Sequence, residues 1–194
     1  MLLAASALAL GIAACAPENP AAQAKSTGEV AVDGNKTVDT ANVDAGVKTF
    51  VEKVSLSDMF EIEASKIALE RSQVQAIKDY AQMMIDAHTA TTAELKPLAA
   101  AASVAPPTAL DNDHTAKLED LRKATVADFD DKYIDQQTDA HENALNLLKD
   151  FAANGKDAGL QAFATKTAPA VDAHLQQVKA LDKSPADDIT KNPS

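Results

Sequence analysis

The sequence predicts an all-α protein: an up-and-down four-helix bundle with an extra short helix between the second and third long helices. Three observations carry that expectation. Four long segments keep their apolar residues three and four positions apart, the spacing of a helix that buries one face. Capping residues, Pro-Pro and Asn-Gly separate them. Ala is abundant, Trp is absent, and there are only two Tyr and five Phe, which suits closely packed helices better than a β-sandwich.

The chain ahead of the helices reads as an export signal and a linker. Residues 2–14 form an apolar run as long as a signal-peptide core and too short to span a bilayer. Ile12-Ala13-Ala14-Cys15 then resembles the bacterial lipobox, which makes Cys15 the expected site of lipidation and the mature N-terminus. Ala16 at the next position favours the outer membrane by resemblance to Gram-negative lipoproteins. The domain expectation is therefore a signal peptide over 1–14, lipidated Cys15 and a flexible tether over 15–44, a helical bundle over 45–183 and a disordered tail over 184–194. The tether lacks apolar periodicity and is rich in Ala, Pro, Asn, Thr, Gly and Lys.

The first long helix is expected from about Val43 to Arg71, with Val47, Phe50, Val51, Val54, Phe60, Ile67 and Ala68 on its apolar side. Glu61 shares a narrow strip with Val54, Ser57, Ala64 and Ala68, whereas Glu63 lies with Leu56, Phe60 and Ile67, so either carboxylate can point inward. Ser72 is a suitable cap for the second helix, which runs to about Ser103 and meets Pro97 late. After Pro106-Pro107, Thr108 or Asp111 can start a short helix to about Lys123, with His114 at its surface. Thr125, with Asp128 three residues on, caps the third long helix, and Asn154-Gly155 stops it. Asp157 caps the fourth, to about Leu181, and Pro169 should kink it five residues before His174.

Three copies of Asp-Ala-His, at residues 86–88, 139–141 and 172–174, hold three of the four histidines. His88, His141 and His174 each lie on a mostly apolar helical line, so each imidazole should face the core. The Asp of each copy sits roughly 200° around the helix and should be solvated. Glu61 and the three histidines all fall near the midpoints of their helices. Because reversing a helix leaves its midpoint at the same height, the four are expected in one layer.

Several stretches resemble a bacterial family of exported ferritin-like proteins of unknown function, often labelled outer-membrane proteins. They are Phe60-Glu61-Ile62-Glu63, the run from Met83 to His88, Phe129-Asp130-Asp131-Lys132-Tyr133 leading to His141, and Pro169 leading to His174-Leu175. The resemblance covers roughly residues 44–183 and implies a ferritin-like bundle in the cell envelope, on the periplasmic side, with no established activity. The family commonly places an acidic residue directly before the second-helix histidine, where this chain has Ala87.

The net charge of −11 argues against nucleic acid and against electrostatic docking on anionic lipid, leaving the lipid anchor as the expected membrane contact. The lone cysteine excludes an intrachain disulfide, and no Gly-rich phosphate loop, Ser-His-Asp or Cys-His arrangement is available. Ferritin-like di-iron sites use Glu-x-x-His on two helices, but Ile85, Thr138 and Val171 stand three residues before these histidines. Two readings of the layer stay open: a buried polar layer of hydrogen-bonded neutral imidazoles that fixes helix register, or His88, His141, His174 and Glu61 holding one Zn²⁺ or Fe²⁺. The corresponding functions are a non-enzymatic envelope lipoprotein, structural, stress-related or adapted to interaction, and a mononuclear metal-binding protein.

Overall fold

Five helices form within residues 43–182, the residues that the computed structural model describes: α1 (Ala45–Arg71), α2 (Gln75–Ala101), α3 (Asn112–Lys123), α4 (Val126–Asn154) and α5 (Ala158–Asp182). The expected signal peptide, Cys15, nearly all of the tether and the tail from residue 184 lie outside them. Among the described residues there is no strand, and no helix is long and apolar enough to cross a membrane.

Side chains end the helices largely where the sequence predicts. Asp44 accepts from the amides of Gly46 and Val47, Asp111 from His114, Thr125 from Asp128 and Asp157 from Leu160, each satisfying a first-turn donor that has no helical partner. Gly155 follows α4 at a position that only glycine fits, because a Cβ there would stand 2.6 Å from both the ring and the carbonyl of Phe151. The start of α2 differs from expectation. The Ser72 amide still bonds the Ala68 carbonyl of α1, so Ser72 closes that helix, and α2 begins three residues later behind Val74. Neither internal proline stops its helix; Pro97 and Pro169 are both exposed. The carbonyl that Pro169 leaves without a partner belongs to Thr165, nine residues and therefore roughly 13 Å along the axis from His174, so it takes no part in the histidine layer.

Contacts between helix ends set the directions. Asp44 at the start of α1 pairs with Lys156 after α4, and Gly159 at the start of α5 lies against Leu98 near the end of α2. At the opposite end Arg71 reaches the carbonyls that link α3 to α4. Successive helices thus alternate in direction with α3 counted, and α2 and α4 run the same way. The short helix is the return leg of one crossover, the connectivity of ferritin-like folds.

The core is apolar towards each end and polar in the middle. At the end where α1 starts, Phe50 stacks on Phe151 at 3.9 Å between ring centres and meets Phe163 edge-on. At the other end Phe129 and Tyr133 stack beneath Arg71. Between them lie the buried polar residues Asp58, Glu61, Ser65, His88, Gln137 and His141.

Arg71 clamps the crossover. Its guanidinium donates to the carbonyls of Leu121, Arg122 and Ala124 and lies 4.7 Å from the centre of the Phe129 ring. Arg71→Ala leaves the last carbonyls of α3 without that donor, so stability should drop by about 2 kcal/mol, the scale of hydrogen bonds made by a charged group. A lower urea midpoint with an unchanged slope is the expected observation.

Candidate metal centre

All four long helices contribute to the polar layer. α1 brings Asp58 and Glu61, α2 brings His88 and Thr92, α4 brings Gln137 and His141, and α5 brings His174. The imidazole centroids stand 5.7 Å (His88–His141), 6.1 Å (His88–His174) and 5.7 Å (His141–His174) apart. Ring nitrogens able to act as ligands all lie within 4.8 Å of one another. The three tripeptide aspartates, Asp86, Asp139 and Asp172, are exposed, as the helical period predicts.

The hydrogen bonds behind the rings decide what the front can do. His141 Nδ1 lies 2.8 Å from the Gln137 carbonyl, which can only accept, so Nδ1 carries the proton and Nε2 holds a lone pair. His88 Nδ1 lies 2.8 Å from Asp58 Oδ1, and Thr92 donates to the other Asp58 oxygen at 2.9 Å. With the carboxylate accepting, the neutral ring again has its lone pair on Nε2. Neither Nε2 has a hydrogen-bond partner, nor has His174 Nδ1. Two of the imidazoles are thus hydrogen-bonded within the buried layer, but to groups behind the rings and not to one another. A carboxylate or carbonyl that fixes the tautomer from behind and leaves the far nitrogen free is the usual support of a metal-bound histidine.

Electrostatics distinguishes the three rings. Burial, followed by the charge of His88, pulls the pKa of His141 down to about 3 and that of His174 down to about 4, so both are neutral at pH 7. Burial also opposes protonation of His88, but the Asp58 hydrogen bond and the Glu61 and Asp58 charges outweigh it, and the pKa ends above its ordinary value.

Glu61 lies in the layer, 1 % exposed, while Glu63 faces solvent and pairs with Lys66. Its Oε1 approaches His141 at Nδ1, 3.7 Å away, on the side turned from the free nitrogen. Neither carboxylate oxygen has a hydrogen-bond partner, and burial pushes the pKa up to about 7. The histidines form the converging group without it; Glu61 stands behind as a charge.

Asp58, Thr92 and Gln137 escaped the sequence reading. The signal for Asp58 was present: it lies four residues after Val54 and three before Glu61, on the strip assigned to Glu61. Gln137 stands four residues before His141 on the same basis. The fourth histidine, His114, is not one of the converging group; it bonds Asp111 and packs against Phe60 on the α3 side.

A family model described as "Domain of unknown function (DUF4142)" matches residues 34–181. Among solved structures, the "Crystal structure of DUF305 fragment from Deinococcus radiodurans" is similar, with a TM-score of 0.63 at 11 % sequence identity over 72 % of this chain and 96 % of that one. Such a likeness concerns the fold alone. No curated protein matches.

Proposed function

We propose, from the premise that the chain belongs to the DUF4142 family of domains of unknown function, that it is a mononuclear metal-binding lipoprotein of the cell envelope. His88, His141 and His174 would hold one Zn²⁺ or Fe²⁺, ions that imidazole serves well. The observation that carries this reading is the convergence of three histidines, each offering one ring nitrogen within 4.8 Å of the others and each with a buried ring nitrogen that has no hydrogen-bond partner. Facing lone pairs repel unless a proton or a metal ion lies between them. Bonds of 2.0–2.1 Å at tetrahedral angles would bring the nitrogens to about 3.3 Å from one another, which small side-chain rotations can supply. Asp58 and Glu61 provide the buried negative charge. Three protein ligands leave one coordination position open, as in catalytic zinc sites and unlike closed structural ones.

The test is metal analysis of the untagged full chain. About one Zn or Fe per chain should be retained or taken up and should be removed by a chelator. A chain that neither carries nor acquires either metal would overturn the reading. Asp58→Ala, which removes the acceptor behind His88, should weaken Zn²⁺ binding about 10- to 100-fold without abolishing it, measured by competition with a zinc indicator.

The envelope location rests on a different stretch of chain. What supports it is the apolar run of residues 2–14, the lipobox-like Ile12-Ala13-Ala14-Cys15 and Ala16 after it. These favour a lipid anchor on the periplasmic side of the outer membrane. Labelled palmitate should enter the wild-type chain and not Cys15→Ser, and the variant should leave the membrane fraction. Equal labelling of both chains would defeat the anchor.

A further inference from the structure

On the side of the histidine layer towards the α1 N-terminus lies a cavity of about 250 Å³. Each long helix turns a small residue to it: Ser57 from α1, Ala87 from α2, Ala144 from α4 and Ala170 from α5. Four short side chains at one level leave a void between helices, and close-packed interiors keep few voids larger than a water molecule. Much of the remaining wall is apolar, with Val54, Leu148 and Val171, and no Lys or Arg is among the described residues that line it. His88 and His174 meet the cavity too, but the unpartnered His88 Nε2 and His174 Nδ1 are buried and have no surface open to it. Ala170 is exposed, so the cavity reaches the outside beside α5.

We infer that this cavity binds a small neutral apolar molecule, one ring in size. The inference goes beyond the metal reading and does not rest on it, because the ligand packs against carbon and touches none of the unpartnered nitrogens. The wall disfavours ions of either sign. Asp58 is its one carboxylate, and both oxygens are already engaged, by His88 and Thr92. A cation would have to compete with those partners. An anion would give up its water shell to a wall without Lys or Arg, where His88 is already paired with Asp58. Water is a poor occupant as well, since a buried water needs two to four polar partners. The wall's hydroxyls are those of Ser57, Thr91 and Thr167, and Thr91 already donates to the Ala87 carbonyl. Size completes the match: an apolar cavity of about 150 Å³ holds benzene, so this one accommodates a ring with a single small substituent.

Toluene and benzoate share a ring and differ in charge, so the full chain is titrated with each and followed by its methyl NMR signals. Toluene should bind saturably, with benzoate requiring at least tenfold higher concentration. Intermolecular Overhauser contacts should run from toluene to the methyl groups of Val54, Leu148 and Val171. Ala144→Leu and Ala170→Phe each fill part of the cavity and should weaken toluene binding at least tenfold. Ala162→Leu, exposed on α5 and outside the cavity wall, should leave it unchanged. No saturable binding of toluene, equal affinity for the two compounds, or undiminished affinity in a folded cavity-filling variant overturns the inference. Contacts centred on Met83 and Leu181, in the surface groove between α2 and α5, overturn it too, and they decide even if neither filling variant folds. Metal content is read separately, so failure of the ligand site leaves the metal reading standing.

Discussion

Excess Zn²⁺ should raise the melting temperature of the metal-free chain by about 10 °C, and His141→Ala should remove that rise. A ligand that binds only the folded state stabilises it by about 4 kcal/mol at a thousandfold excess over its dissociation constant. For a domain of this size each kcal/mol moves the midpoint by roughly 3 °C. His141 is the sharpest site to change. It is 1 % exposed, its tautomer is set by the Gln137 carbonyl, and its other nitrogen is buried without a partner in a ring that converges with those of His88 and His174. The substitution also leaves a space in the core and will lower the starting stability, so the quantity to read is the increment with metal, in wild type and variant alike. Fe²⁺ under anaerobic conditions should behave in the same sense. A rise that survives in His141→Ala would place the ion elsewhere on this acidic chain, and the absence of any rise in the wild type would sink the metal site.

Much of this architecture was legible in residue spacing, and the gaps have specific causes. The apolar period placed the four long helices, the Pro106-Pro107 break and a cap placed the short one, and the caps at Thr125 and Asp157 set two starts correctly. The midpoint argument brought His88, His141 and His174 to one height without requiring any helix direction. It therefore could not reveal that α3 is the return leg of a crossover, which follows from Arg71 meeting the α3–α4 link and Lys156 meeting Asp44. Asp58 was missed for a different reason. Its spacing on α1 is as inward as that of Glu61, but an aspartate in a helix is ordinarily solvated, and its partner His88 lies 30 residues away on another helix. Which imidazole nitrogen carries a proton depends on such partners, so the choice between a hydrogen-bonded layer and a ligand set appears only with the backbone carbonyl of Gln137 and the carboxylate of Asp58 in place.

Glu61→Gln should stabilise the metal-free chain at pH 8 by about 3 kcal/mol, and it should weaken Zn²⁺ binding. The carboxyl is buried without a hydrogen-bond partner, and its pKa moves from 4.5 to about 7. An acid raised in this way binds its proton more tightly when folded. Its favourable contribution is present below 4.5 and lost as pH rises to 7; a shift of about 2.5 units corresponds to about 3 kcal/mol. His141 and His174, lowered to about 3 and 4, act in the opposite sense: their contribution is complete above 6.5 and lost as pH falls below it. His88, raised, contributes below 6.5 and loses that contribution as pH rises through its folded value. Between pH 4.5 and 6.5 two histidines therefore outweigh one carboxyl, and stability should climb by about 1.4 kcal/mol per pH unit, one net proton. Above 6.5 only Glu61 and His88 still change, and stability should decline, giving a maximum near pH 6.5. Glutamine keeps the shape and removes the charge, so the variant should exceed the wild type by less than about 1 kcal/mol at pH 5, where folded Glu61 is protonated, and by about 3 kcal/mol at pH 8. Urea midpoints with chelator at pH 5, 6.5 and 8 measure this; a variant no more stable than wild type at pH 8 would contradict it. Metal reverses the sign because a divalent ion needs the ionised carboxylate 3.7 Å behind His141 as part of its counter-charge. The substitution that strengthens the empty bundle should therefore reduce its stabilisation by Zn²⁺, an opposition that a merely structural glutamate would not produce.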